Sequence, residues 1–533
     1  MDGSLIRRWL AVAVAATALA ASTIGATRGG RTSAGEGRPG IAAASNPCSQ
    51  FGVQPLTMQP TVPTKFNAAL SQKEADCVAW QTFIALNWLA DPRHPGYPDK
   101  QVPASAFGAP DNLNPTVWLS YADSGTVFQP QVAKPGLRTF DMAHPARLEL
   151  HAISKFDTID LSLSGIEQAG DGKWLTAQSG GLTYYDVRMN GDEFAYITGN
   201  VFGGSDLSTF AGQAACAGQS GRSGVGGFAL PGGSGADTDC GGAKATYGQD
   251  QGAIEVKAAW IALPADGSLN YRYLTANATV TDPSGRRTTQ LMGLVGMHII
   301  HKMIGAQQLV WATFEQIDNS PDQGNSPQGW TAPGLPANPN RRPGQVFTYF
   351  NPNCSGTSDP YYGCVHNRPP GTACGPTGAP VGCVPFLAPM QITRMVTVDS
   401  TANGVTGYAW SILPARSVFN YYRLINAQWP NSSVQIQPQS VVPLPTGDIQ
   451  PPSASGIVAN TTMETFQQTT NSCMDCHQFA TIASRSSLSL RAGPSGRRSM
   501  VKVRPAAVKA HDPAAVPNYA SDYSFMFSAS TLH

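Results

Sequence analysis

The stretch Cys473-Met474-Asp475-Cys476-His477 constrains this chain more than any other. It has the form C-x-x-C-H, the attachment signature of a c-type haem. Two thiols add across the two vinyl groups of the porphyrin, and two intervening residues let both reach one haem edge. The imidazole next in line ligates the iron from one side. A C-x-x-C pair also serves as a thioredoxin-like redox couple, a structural disulfide or half of a zinc site. A zinc site wants a second pair of ligands at similar spacing, and none follows. A redox couple is expected near a βαβ pattern, whereas this motif follows a loop-rich stretch. The expected cofactor is one haem c (iron) per chain, held by Cys473 and Cys476 with His477 on the iron. Thr461-x-x-Glu464 has the form of a capping box, and Met463 and Phe466 form an apolar i, i+3 pair, so a helix is expected to present the motif.

The first residues fit export. Arg7 and Arg8 form a short basic region, and Leu10 to Ala21 is an Ala-rich apolar run followed by small residues suited to cleavage. That run is shorter than the ~20 apolar residues a spanning helix needs, and no later segment meets that length. Residues 1–26 are expected to be a signal peptide and 27–47 a flexible lead, giving a periplasmic or secreted protein with no integral span after cleavage. Covalent haem attachment occurs on that same side of the membrane, so the two signals reinforce each other.

An oxidising compartment also suits the cysteines. Eight of the 10 Cys lie outside the motif, at Cys48, Cys77, Cys216, Cys240, Cys354, Cys364, Cys374 and Cys383. Proximity favours Cys48–Cys77 and Cys216–Cys240, with the last four paired among themselves in one of about three ways. Net charge is +1, so nothing points to nucleic acid. With 55 Gly, 42 Pro and 13% charged residues, the composition argues for many turns and long ordered loops rather than a helical bundle.

A core helix is expected after the capping box Ser71-x-x-Glu74, with Trp80 and Trp88 as core residues and Pro92 as its stop. Tyr184 to Met189 is a strand. Asn190-Gly191 then suits a hairpin turn, and a helix from Gly191 is the rival. Residues 203–251 form a long Gly/Ser-rich insertion. Ala253 to Leu263, Gln290 to Lys302 and Gln308 to Ile317 are expected as antiparallel neighbours. Short strands are expected at Val396 to Asp399 and Tyr408 to Ile412, and a helix from Ser417 to Trp429, ended by Pro430. A basic stretch runs from Ser484 to His511. The whole is an α+β chain: an antiparallel β-rich body over 48–458 with long disulfide-pinned loops, then a haem c-binding helical segment over 459–533 packed on it.

Alternation places Glu255 and Lys257 on one face of the first of these strands, and Glu315 with Thr313 on one face of the third. His298 and His301 fall on opposite faces of the second. Glu255, Lys257, one of the two histidines and Glu315 thus converge either as a polar pocket, with Glu or His as general base, or as a solvated face with cross-strand pairs. The catalytic candidates are Glu255, Lys257, His298, His301 and Glu315. Candidates for a sixth iron ligand after His477 are Met500, His511 and Met526, the last in an aromatic run that also reads as packing. An open iron position is the alternative.

In Trp80 to Trp88, Gly252 to Trp260, Gly296 to Lys302, Trp311 to Asn319 and Asn460 to His477, the chain resembles large exported bacterial cytochrome c family proteins. The resemblance spans most of the mature chain. It implies one covalent haem c, periplasmic or secreted placement, and an electron-transfer or oxidoreductase role with a redox partner protein or a small-molecule substrate. A non-catalytic carrier and a binding protein with a structural haem are the alternatives.

Overall fold

A computed structural model describes residues 46–48, 55–66, 71–128, 148–151, 173–202, 204–219, 227–248, 250–282, 286–305, 309–322, 347–354, 364–371, 384–385, 387–429, 456–470, 472–473, 477, 480–483 and 519–529. The chain divides into two units, Met1–Ala42 and Ala43–His533, and every described residue belongs to the second. The expected signal peptide, most of the lead and the basic stretch lie outside the described residues.

The body is built on one large sheet. Seven of its eight described strands, β1 (Leu148–His151), β2 (Tyr184–Met189), β3 (Ile254–Ala262), β4 (Thr275–Thr281), β5 (Arg287–Lys302), β6 (Leu309–Gln316) and β7 (Tyr422–Gln428), follow the order β7-β6-β5-β3-β2-β1-β4, and the two-residue strand Ala122–Asp123 pairs with the end of β2. β5, at 16 residues, pairs with β4 along its first half and β6 along its second. The β5–β4 pairing closes the path β5-β3-β2-β1-β4 into a ring. β1 and β4 run parallel, and the other pairs along the path are antiparallel.

Alternation explains why β3 sits at the centre. Ile254, Val256, Ala258 and Trp260 are fully buried in the larger apolar core, while Glu255 and Lys257 point the other way. Helices α1 (Gln72–Leu86) and α4 (Ser400–Ile412) cover the apolar face. The capping box at the start of α1 forms as expected, with Ser71 N donating to Glu74 Oε2 at 2.7 Å. Phe83 stacks on Phe314 at 4.3 Å, and Trp80 meets the same ring edge-on at 5.2 Å. Burying each such ring contributes on the order of 2–3 kcal/mol. Trp80 and Trp88 are core residues, as expected.

Two expectations are overturned. The helix proposed for Ser417 to Trp429 is a single 3-10 turn, Val418–Tyr421, followed by β7. Ser417 does cap, accepting from Phe419 N at 3.3 Å, but β7 then pairs with β6. Conversely, the strand expected at Tyr408 to Ile412 gives way to α4, and the one expected at Val396 to Asp399 is irregular chain ending at the cap Asp399, which accepts from Thr401 N at 2.7 Å. The ambiguity after Met189 resolves to the rival helix, α2 (Gly191–Gly199). Its cap Asn190 accepts from Glu193 N at 3.1 Å and donates to Gly252 O at 2.7 Å.

Disulfides join Cys48 to Cys77 and Cys216 to Cys240, the pairings proximity favours, and Cys354 to Cys364. Cys374 and Cys383 lie outside the described residues. Cys216 lies near the end of α3 (Phe210–Ala217), and its bond to Cys240 staples the described parts of the long insertion. Among the described residues, no helix is long and apolar enough to cross a membrane.

Candidate functional site

The pairing register assembles the polar groups of the sheet. Glu255 lies opposite Ile300 and Lys257 opposite His298, while His298 lies opposite Thr313 and Gly296 opposite Glu315. Glu255, Lys257, His298 and Glu315 therefore share one face. His301 is on the other. Its Nε2 sits 2.8 Å from Gln251 O, and burial lowers its pKa to about 4. It is a neutral ring tying β5 to the preceding loop, away from the other four.

The carboxy-terminal segment covers this polar face. Residues 461–470 run in successive turns instead of the expected presenting helix. The cause is local. Glu464 Oε2 accepts from Asn460 N at 2.9 Å, so its side chain closes on the residue before Thr461. Thr461 N instead donates to Glu315. Asn460 reaches the sheet, donating to Thr313 Oγ1 at 3.0 Å and Phe314 O at 2.9 Å. Glu315 is ion-paired with fully buried Arg394, which also donates to Ala459 O at 3.0 Å. Glu315 is thus a clamp for the segment. His298 Nε2 lies 3.5 Å from Glu464 Oε2, joining the segment to the middle of the face.

The segment close approach depends on Gly296. A Cβ there would run into Thr462 Oγ1 well inside van der Waals contact and meet Asn460 Oδ1 at 3.1 Å. Gln428, at the end of β7, bridges both sides of the segment. It donates to Gly456 O at 2.8 Å and accepts from Cys473 N at 3.0 Å.

Cys473 and His477 each have helical backbone. Cys476 lies outside the described residues. Cys473 packs against a second apolar cluster that contains Trp311, Ile482, Tyr523, Met526 and Phe527. The His477 ring lies between Trp311 at 5.3 Å and Phe525 at 5.0 Å. Its Nδ1 is 2.7 Å from Tyr523 O. A carbonyl can only accept, so Nδ1 carries the proton and Nε2 of the neutral ring carries a lone pair.

Residues 519–527 hold that carbonyl in place. Ile482 N donates to Tyr519 O at 3.0 Å and Ser521 N to Ala480 O at 3.2 Å, pairing this piece with the chain just after the motif. Asp522 and Tyr523 both take positive φ, 55° and 67°. Left-handed backbone at two consecutive residues other than Gly is costly, by roughly 1–3 kcal/mol each, and persists where surrounding contacts impose it. Here buried Asp522 pairs with Lys302 and accepts from Leu230 N at 2.7 Å.

These residues fit a covalently attached haem. An Nδ1–H held by a backbone carbonyl fixes the ring and puts the lone pair on Nε2, the form in which imidazole ligates a metal. The Cys473 thiol borders an apolar wall. Met526 is buried in that wall, whereas Met500 and His511 lie outside the described residues. Among the described residues, no group of three or more His, Cys, Asp or Glu converges as a metal-ion site. Sequence reasoning missed Glu193, Gln428 and Asn460, whose roles come from contacts distant in the chain. No protein-family model, curated protein or solved structure matches this chain.

Proposed function

We propose that this chain is an exported, periplasmic or secreted c-type haem protein that moves electrons, with Cys473 and Cys476 as thioether anchors and His477 as axial ligand. The observation that carries the reading is His477 itself: in a C-x-x-C-H motif, its Nδ1 is bound by Tyr523 O, which sets the tautomer with the lone pair on Nε2. The resemblance to large exported cytochrome c family proteins supports the same reading, as do the three disulfides. When bound, the haem supplies one-electron iron chemistry.

The chain's own residues do the rest. Trp311 and Phe525 fix the imidazole plane, and the apolar cluster around Cys473 keeps water from that side, which favours the less charged iron state. Glu315, Asn460 and Gln428 hold the attachment segment against the sheet. Lys257 and His298 on the same face are placed to serve a substrate in an oxidoreductase. In a carrier they help hold the segment, and the partner is a redox protein.

The test is an absorption spectrum of the exported chain, ferric and dithionite-reduced, with and without carbon monoxide. A haem spectrum supports the proposal. Carbon monoxide binding then assigns an open iron and an enzyme, while indifference to it assigns a six-coordinate carrier. A chain with no haem spectrum after expression with attachment machinery overturns the proposal.

A further inference from the structure

Two carboxyl groups face each other beneath the C-terminal segment. Glu193 stands in the first turn of α2 and Glu255 on β3, and they are 0% and 4% exposed. Glu255 pairs opposite Met189, the last residue of β2, and α2 begins two residues later, which brings the pair together. Neither oxygen of Glu193, nor Oε1 of Glu255, takes a hydrogen bond from an N–H or hydroxyl of the described residues. The two side chains bond to each other, and Glu255 also takes the Ser524 hydroxyl. Two carboxylates in contact with no donor between them cannot both ionise. One keeps its proton and donates to the other.

The surroundings sharpen this. On the same sheet face lie Lys257, His298 and Lys302. α2 carries Asp192 and Tyr196, and the C-terminal segment carries Asp522 and Tyr523. Lys302 is engaged by Asp522, so a third buried acid adds negative charge beside the pair. Burial, then Glu255 and Asp522, raise Glu193; burial, aided by the Asp522 charge, raises Glu255 to about 7 against the lowering effect of its hydrogen bonds with Ser524 and Glu193. Across the sheet, Glu255, Ile300 and Trp311 form one row, and Trp311 lies against the His477 ring. Ile300 therefore separates the acid pair from the residue that walls His477.

We propose that Glu193 and Glu255 share one proton near neutral pH and take up a second when an electron is added at the attachment face. This rests on the haem reading above. A haem held by Cys473, Cys476 and His477 would take the electron from a one-electron carrier protein, Fe(III) becoming Fe(II), and one proton from solvent would form an O–H bond on Glu255. Charge and atoms then balance, and no other bond changes. A unit charge added on the order of 10 Å away, through protein of effective dielectric constant near 20, shifts a proton affinity by about tenfold.

The test has two arms. In the first, the haem-loaded full chain is titrated with redox mediators from about pH 5 to 9. One full proton per electron would be about 59 mV per pH unit, and a tenfold shift in affinity gives roughly half of that, about 30 mV per pH unit, where the pair titrates. We expect that slope in the wild type and its loss in Glu193→Gln and Glu255→Gln, with Asp76→Asn, a buried acid elsewhere, unchanged. A flat wild-type profile, or equal slopes in all four proteins, overturns the coupling. The second arm needs no haem: the infrared C=O band of a protonated carboxyl, read as wild type minus Glu193→Gln. Presence of the band, titrating near neutral pH in the wild type, supports the shared proton, and its absence overturns it. A chain that carries no haem overturns the functional reading and the coupling together, while the infrared arm still decides the shared proton.

Discussion

The carbonyl oxygen of Tyr523 lies 2.7 Å from Nδ1 of His477, across 46 residues of chain. This bond ties the last described segment to the motif, and Asp522 makes it possible by anchoring the left-handed turn to Lys302 and Leu230 N. Asp522→Asn strands the Lys302 ammonium in a buried site, at a cost of roughly 3–5 kcal/mol. The expected result is a lower melting temperature with early proteolysis in residues 519–529. An unchanged melting curve would show that the anchor is dispensable.

Gly296→Ala tests the seating of the attachment segment. Its Cβ meets Thr462 and Asn460 rather than space. Overpacking of this kind costs about 1–3 kcal/mol. The segment is expected to lift from the sheet, so that hydrogen exchange at residues 460–465 rises while that of α1 does not.

Much of the sheet was legible from alternation. β3 alternates Ile254, Val256 and Trp260 with Glu255 and Lys257, and the turn signals between β3, β5 and β6 suited antiparallel neighbours. β7 was not legible, because Ser417 and Pro430 bracket it as they would a helix, and pairing with β6 decided the matter. α4 was hidden by Gly404, Gly407 and β-branched residues that lower helix propensity; its burial against α1 compensates. At the site, strand parity brought Glu255, Lys257, Glu315 and one of two histidines to a common face, and the pairing register selects His298. What occupies each did not follow from parity. Arg394 on Glu315 and Glu193 on Glu255 come from segments far away in sequence.

Stability should depend on pH through two buried groups of opposite sign. Burial raises Asp76 from 3.8 to about 7, so the fold favours its protonated form. Its contribution is complete below about pH 4 and is lost as pH rises to about 7. Burial lowers His301 from 6.5 to about 4, so the fold favours the neutral ring. Its contribution is complete above about pH 6.5 and is lost as pH falls to about 4. Each effect is at most roughly 3–4 kcal/mol. Thermal melts across this range are expected to show a flatter rise side in Asp76→Asn and a weaker acid loss in His301→Gln. Parallel profiles for wild type and both variants would contradict the assignment.

The Cys216–Cys240 bond staples the insertion that carries α3 and leads into Leu230, the partner of Asp522. Replacing both cysteines by Ser is expected to cost about 2–5 kcal/mol. The loss should appear in denaturant midpoints and should match the effect of gentle reduction on the wild type. A disulfide map by peptide mass checks the pairing itself.

The central claim is a haem joined to Cys473 and Cys476. The direct measurement is the intact mass of the exported chain after denaturation and acid-acetone extraction, which removes haem that is not covalently bound. The account predicts a chain heavier by one haem, with the mass reverting to that of the bare polypeptide in the double variant Cys473→Ser, Cys476→Ser. A wild-type chain at the bare mass, expressed with functioning attachment machinery, would contradict it.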